Sequence, residues 1–236
     1  MEIHRSHNWL TTGLLHMVLV GLSLSWVTER TAHATSPRLP SDAIPVPLVR
    51  QTINYSCGPA ALVAVLHYFQ VWSGPEDKLH RLLGTSSEHG TLPEALATGA
   101  RRFGLVASVE QPMTLAQLQG ALRTGKLVIL ELQAWRDPKS RHESWINIWD
   151  EGHYVVLVGM DNQYVYFMDP STPNAYTYVP QQELLSRWHD INEQRGPRNQ
   201  HDYHLGVVIS APPSVAQRRG LRSQSIRTIQ RLISLD

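Results

Sequence analysis

One cysteine (Cys57), a histidine at the head of an apolar run (His153) and an aspartate shortly after the next apolar run (Asp169) are the residue types that thiol-based nucleophilic catalysis requires. A free thiol ionises near pH 8.5, so a catalytic one must be helped to exist as thiolate at neutral pH. Cys57 directly precedes Gly58-Pro59 and the apolar stretch Ala60–Phe69. That order predicts a helix starting at the cysteine, where unpaired N–H groups and the positive end of the helix dipole favour an anion. Proline suits the first helical positions because its missing N–H would have no partner there, and Gly58 lets a substrate backbone come close. A lone cysteine is otherwise a small buried hydrophobe. The companions decide between the two. His153 opens the run Gly152–Gly159, Asp169 follows Tyr164–Met168, and Asp161-Asn162-Gln163 reads as a hairpin turn between them. Hairpin strands are adjacent, so His153 and Asp169 are expected side by side. Asp169 would then orient the imidazole that takes the proton from Cys57.

Four helices are expected before these strands. They are Gly58–Phe69, Leu79–Leu83, a run to Phe103 opened by Thr91 as N-cap with Pro93 in its first turn and Glu94 at N3, and Leu115–Arg123 ended by Gly125. After Gly125 the character changes to β-branched and aromatic runs: Leu127–Leu132, Tyr154–Met160, Tyr164–Met168, Tyr176–Val179 and Leu205–Ser210. Helices first and strands second predict an α+β fold, with N-terminal helices carrying the nucleophile against a C-terminal antiparallel sheet. Residues 35–47 hold four prolines and read as an extended lead-in, and residues 48–210 as the domain proper. Residues 211–236 read as a basic tail, with Leu221, Ile226, Ile229, Leu232 and Ile233 roughly on a helical period.

With these residues in place, the chain resembles the C39 family of papain-like cysteine peptidases. The resemblance runs from about Gln51 to Ser210 and is carried by Gln51 ahead of Cys57-Gly58, the Ala/Leu-rich run, His153-Tyr-Val-Val-Leu-Val-Gly and Asp169-Pro170. It implies a papain-like fold, with Cys57 as nucleophile, His153 as general base and Asp169 as the orienting acid. It also implies that Gln51 donates its side-chain amide, together with the backbone N–H of Cys57, to the oxyanion of a tetrahedral intermediate. Two departures stand out. Ser56 occupies the position where many family members carry an acid. Transporter spans and ATP-binding motifs are absent, so the chain is similar to the free-standing, exported type, and the double-glycine leader substrate of the transporter-fused members is not implied.

The rest of the sequence bounds the function. Of 236 residues, 42% are apolar and 17% charged, and the formal net charge is +1. This suits a globular protein and gives no footprint for nucleic acid. One cysteine permits neither an intrachain disulfide nor a Cys-rich metal site. His201, Asp202 and His204 lack the further ligands a metal needs, and no Gly-rich phosphate loop is present, so no metal or cofactor is expected. Residues 1–34, with an apolar stretch Trp9–Val27 before Ala32-His33-Ala34, read as a signal peptide, or alternatively as an uncleaved anchor; either exports the rest to the periplasm or medium. The Trp135–Trp149 segment reads as a groove wall or as a surface loop pinned by tryptophans, and Trp188-His189-Asp190 as packing at the end of a short helix. The tail offers weak membrane-surface contact, or is a solvated terminal helix. Three functions are compatible with the chemistry. They are hydrolysis of peptide or protein substrates through a Cys57 thioester, acyl transfer of the transglutaminase-like or amide-forming kind, and peptide binding without catalysis.

Overall fold

The computed structural model describes residues 37–192, 201–215 and 231–234, all within one compact unit, 36–236. The expected signal segment, 1–34, lies outside the described residues. A seven-stranded sheet forms the centre: β1 (Val106–Glu110), β2 (Leu127–Gln133), β3 (Gly152–Met160), β4 (Tyr164–Met168), β5 (Ala175–Pro180), β8 (Gly206–Ser210) and β9 (Arg231–Ser234). Its order is β1-β8-β2-β3-β4-β5-β9, and every pairing but β5–β9 is antiparallel. The short β6 (His189–Ile191) and β7 (His201–Tyr203) pair separately.

Alternation along the strands assigns the two faces. Leu127, Ile129, Tyr154, Val156, Val158, Val207 and Ile209 pack with α1 (Cys57–Phe69), α2 (Asp77–Leu83) and α3 (Pro93–Arg102). Val128, Leu130, Leu132, Val155, Leu157 and Phe167 pack with α4 (Leu115–Arg123) and α5 (Gln181–Arg187). The α+β expectation therefore holds, with one refinement: α4 belongs to the opposite face from the helix that carries the cysteine. Helix α1 is apolar nearly all round and buried from Gly58 to Leu66, as a helix must be when core surrounds it.

Several local expectations are corrected. Thr91 does not cap α3: it is buried, its hydroxyl bonds that of Thr85 at 2.8 Å, and Leu92 takes the cap position ahead of Pro93. The true capping box is on α4, where Thr114 Oγ1 accepts from Gln117 N at 3.2 Å and Gln117 Oε1 accepts from Thr114 N at 2.8 Å. The lead-in is extended but is part of the core. Ile44 N donates to Val158 O at 2.7 Å, Val46 is fully buried, and Tyr176 Oη donates to Val46 O at 2.7 Å. In the tail, Leu232 and Ile233 lie on edge strand β9 and not on a helix. The open hydrogen-bonding edge of β5 offers those backbone groups partners that a short isolated helix would hold only marginally. Leu221, Ile226 and Ile229 lie outside the described residues. Among the described residues, no helix is long and apolar enough to cross a membrane.

Candidate active site

Cys57 is the first residue of α1. Of the first helical N–H groups, Ala60 N already donates to Ser56 O at 3.0 Å, and Pro59 has none to give. The N–H groups of Cys57 and Gly58 are thus left at the helix end without intrahelical partners, beside the thiol. The helix end is seated by Gly58: a Cβ there would stand 2.8 Å from the Thr91 side chain and 3.3 Å from the Tyr154 ring.

His153 lies second on β3, opposite Leu132 of β2, and Asp169 directly follows β4. The hairpin between them is closed by Asp161, whose Oδ1 accepts from Gln163 N at 2.8 Å and Tyr164 N at 2.7 Å. The pair forms as expected. His153 Nε2–H donates to Asp169 Oδ1 at 2.7 Å, with both residues almost wholly buried. Asp169 also accepts from Ser171 N and Ser171 Oγ, both at 2.8 Å, and from Thr172 Oγ1 at 3.1 Å. Its Nε2 taken, the imidazole has Nδ1 left for Cys57. Burial by itself would lower the His153 pKa, but hydrogen bonds to Asp169 and Cys57, and the charges of both, hold it up at about 10. Burial works on Asp169 in the opposite direction, raising its pKa; His153 and the Ser171 donors overcome it and keep the carboxyl below its ordinary range.

Gln51 is placed at the same end of the molecule by its backbone N–H, which donates to Pro170 O at 2.9 Å. Its side chain differs from expectation. Both amide hydrogens are engaged within the loop, Nε2 donating to Ile53 O at 2.9 Å and Asn54 O at 3.1 Å.

The thiol and imidazole open on a cleft of about 550 Å³, lined also by Asn54, Glu131, Trp149 and Asp190. Glu131 was not singled out by sequence, and Asp190 was read only as packing at the end of a short helix. Glu131 sits in an apolar strand and Asp190 depends on the β6–β7 pairing, so only the three-dimensional register brings them here. Asp190 Oδ1 accepts from Gln133 Nε2 at 3.0 Å and from Ile191 N at 2.8 Å. Burial pushes Asp190 up to about 6 against hydrogen bonds from Ile191, Gln133 and Glu131, and the Asp202 charge adds to the rise. Gly152, the first residue of β3, faces the same side chain. A Cβ on it would fall 2.1 Å from Asp190 Oδ2, so glycine makes room for that carboxylate. Gly152→Ala is expected to displace Asp190 and shift the start of β3, destabilising the protein by about 1–3 kcal/mol; thermal denaturation measures it.

The tryptophan-rich segment serves both of its expected purposes. The Trp135 ring lies 4.8 Å from that of His153, and Trp149 lines the cleft while packing on His189 at 4.2 Å. Trp145 pins the loop, with the Arg136 and Arg187 guanidiniums over its ring at 3.8 and 3.6 Å. Trp188 caps α5 and is fully buried, as its packing reading implied. His201 packs edge-on to Trp149 and His204 stacks on Trp188, so both rings serve packing.

The model of the Peptidase C39 family matches residues 45–192. An uncharacterized protein of Methanothermobacter thermautotrophicus is 32% identical over 124 residues, which cover 52% of this chain and 71% of that protein. A C39-like protein of Bacillus anthracis superposes with a TM-score of 0.53 at 17% identity, covering 75% of this chain and 98% of that one. The peptidase domain of ComA, a bifunctional ABC transporter of Streptococcus, superposes with a TM-score of 0.51 at 17% identity, covering 71% and 99%. These two establish the shared fold.

Proposed function

Because this chain belongs to the Peptidase C39 family, we propose that it is a cysteine peptidase that hydrolyses peptide bonds through a Cys57 thioester, with His153 as general base. The observation that carries the reading is the buried His153–Asp169 pair, at 2.7 Å, held against the helix that begins at Cys57. In this reading His153 takes the thiol proton, the sulfur attacks the substrate carbonyl, and negative charge gathers on the carbonyl oxygen. The N–H of Cys57 at the helix end stabilises that charge, joined by Gln51 when its amide exchanges the longer of its two carbonyl contacts for the oxyanion. The imidazolium returns its proton to the leaving amine, and water, activated by the same ring, releases the acid. Asp169 keeps the N–H on Nε2 and Nδ1 directed to the thiol.

Two expected results test the parts. Gln51→Ala should lower kcat about a hundredfold, the usual cost of one oxyanion donor; a loss under tenfold would make Gln51 a loop anchor only. The pH dependence follows from His153. The protonated ring serves as acid for the leaving amine, so kcat/KM should fall on the alkaline side as His153 deprotonates near its value of about 10. Asp169→Asn removes the charge that holds the ring protonated and should move that limb to lower pH.

The same triad could pass the acyl group to an amine. Incubation of the protein with a peptide pool, with and without an added amine, separates the two: hydrolysis yields product in both, transfer only with the amine. Export is part of the proposal and rests on Ala32-His33-Ala34 behind the apolar stretch. N-terminal sequencing of the secreted protein should begin at Thr35.

A further inference from the structure

Outside the triad, one buried charge is fastened to the loop that precedes the nucleophile. Glu76, at the start of α2, is 5% exposed and far in sequence from Cys57. Its Oε2 accepts from Thr52 N at 3.0 Å and from the Thr52 hydroxyl by a very short bond. Its Oε1 faces His80 Nε2 at 2.8 Å; the Ser56 hydroxyl lies near the same carboxylate but gives its one hydrogen to Ile53 O at 2.9 Å. Burial would raise the Glu76 pKa, yet the nearby Ser56 hydroxyl and the bonds from Thr52 and His80 keep it below its ordinary value. The carboxylate is thus a stable anion whose donors lie mainly in the segment 52–56.

That segment is short and held at two ends. At one end Gln51 N is tied to Pro170 O, next to Asp169, and at the other the fully buried Ser56 bonds Ile53 through Oγ–N at 3.2 Å and Oγ–O at 2.9 Å. Between them run the carbonyls of Ile53 and Asn54 that hold the Gln51 amide. Fixing Thr52 and Ser56 therefore fixes both proposed oxyanion donors, the Gln51 amide and the Cys57 N–H.

We propose that Glu76 is a positioning residue for catalysis: acting through Thr52, it holds the loop that sets the oxyanion donors. This rests on the peptidase reading. An isosteric amide at position 76 keeps the shape but removes the charge and one of the two oxygens that accept from Thr52 and face His80, so Glu76→Gln should weaken the hold on Thr52 without removing a side chain from the core.

Two reactions of the one cysteine separate this role from general damage. Acylation by p-nitrophenyl acetate passes through a tetrahedral oxyanion: sulfur bonds to the carbonyl carbon, p-nitrophenolate leaves and a thioester remains. Alkylation by iodoacetamide displaces iodide at a saturated carbon and builds no oxyanion. In the full chain, with Cys57→Ala as blank, Glu76→Gln should slow the acylation burst about tenfold or more while alkylation stays within about twofold. Thr52→Val, at an exposed position, should move acylation in the same direction by less, and serves if Glu76→Gln does not fold. Unchanged acylation overturns the proposal, as does an equal fall in both reactions, which would make Glu76 a structural residue. If the wild-type protein is acylated no faster than Cys57→Ala, the peptidase reading itself fails. That outcome is distinct, because it appears before any change at Glu76.

Discussion

Alanine at His153 is expected to lower kcat/KM by about a thousandfold or more, the scale on which removal of a triad base acts. In the proposed mechanism the imidazole is the thiol's proton acceptor and the acid for the leaving amine, so its loss removes both halves of the proton transfer. What would remain is the helix end at Cys57 and the cleft, enough for binding and a residue of oxyanion stabilisation. The fold should tolerate the change comparatively well. Asp169 would keep Ser171 N, Ser171 Oγ and Thr172 Oγ1 as donors, so its charge is not left bare. Circular dichroism alongside the kinetics should therefore show a folded protein with little activity.

Asp169→Ala is expected to act on both activity and stability. The residue is 1% exposed and its His153 partner 2% exposed, and breaking a buried pair from one side costs about 3–5 kcal/mol because the other group stays behind unpaired. Turnover should fall about a hundredfold or more as the imidazole loses its fixed tautomer and direction. Asp169→Asn separates the two effects. Its Oδ1 can still accept from His153 Nε2, so most of the orientation survives while the charge is lost, and a loss nearer tenfold is expected. The sign of the pH dependence follows from the shifts. His153 is raised from 6.5 to about 10, so its contribution to stability is complete below about pH 6.5 and fades as pH rises toward 10. Asp169 is depressed below 3.8, so its contribution is present above that value and is lost as pH falls through the lowered one. Thermal denaturation should therefore show the largest gap between wild type and Asp169→Ala from about pH 4 to 6.5, narrowing on both sides.

The grouping of Cys57, His153 and Asp169 was legible because each of the three sits at an element end with local chemistry of its own. Cys57 before Gly-Pro marks a helix start, His153 heads a β-branched run, and Asp169 follows the partner strand across an Asp-Asn-Gln turn. What stayed hidden depends on long-range pairing. β1, with the sequence Val-Ala-Ser-Val-Glu, is too short and mixed to stand out, and becomes a strand because β8 offers it an edge. β9 has the same cause at the other edge. Asp190 reaches the cleft only because β6 pairs with β7, and Glu131 only because its register sets it opposite Tyr154. Glu76 gave no local signal for its place beside the Cys57 loop, since its partner there, Thr52, lies across helix α1. The Gln51 amide shows the limit of carrying a role by spacing. Its position was foreseen, but its hydrogen bonds to Ile53 and Asn54 were not.

The central claim is that His153 activates Cys57, and the single cysteine allows it to be measured without ambiguity. The measurement is the rate of iodoacetamide alkylation as a function of pH, wild type beside His153→Ala. The account predicts that His153→Ala slows alkylation about tenfold or more at neutral pH and changes its pH profile. Equal rates and equal pH profiles in the two proteins would contradict it and leave Cys57 without its base.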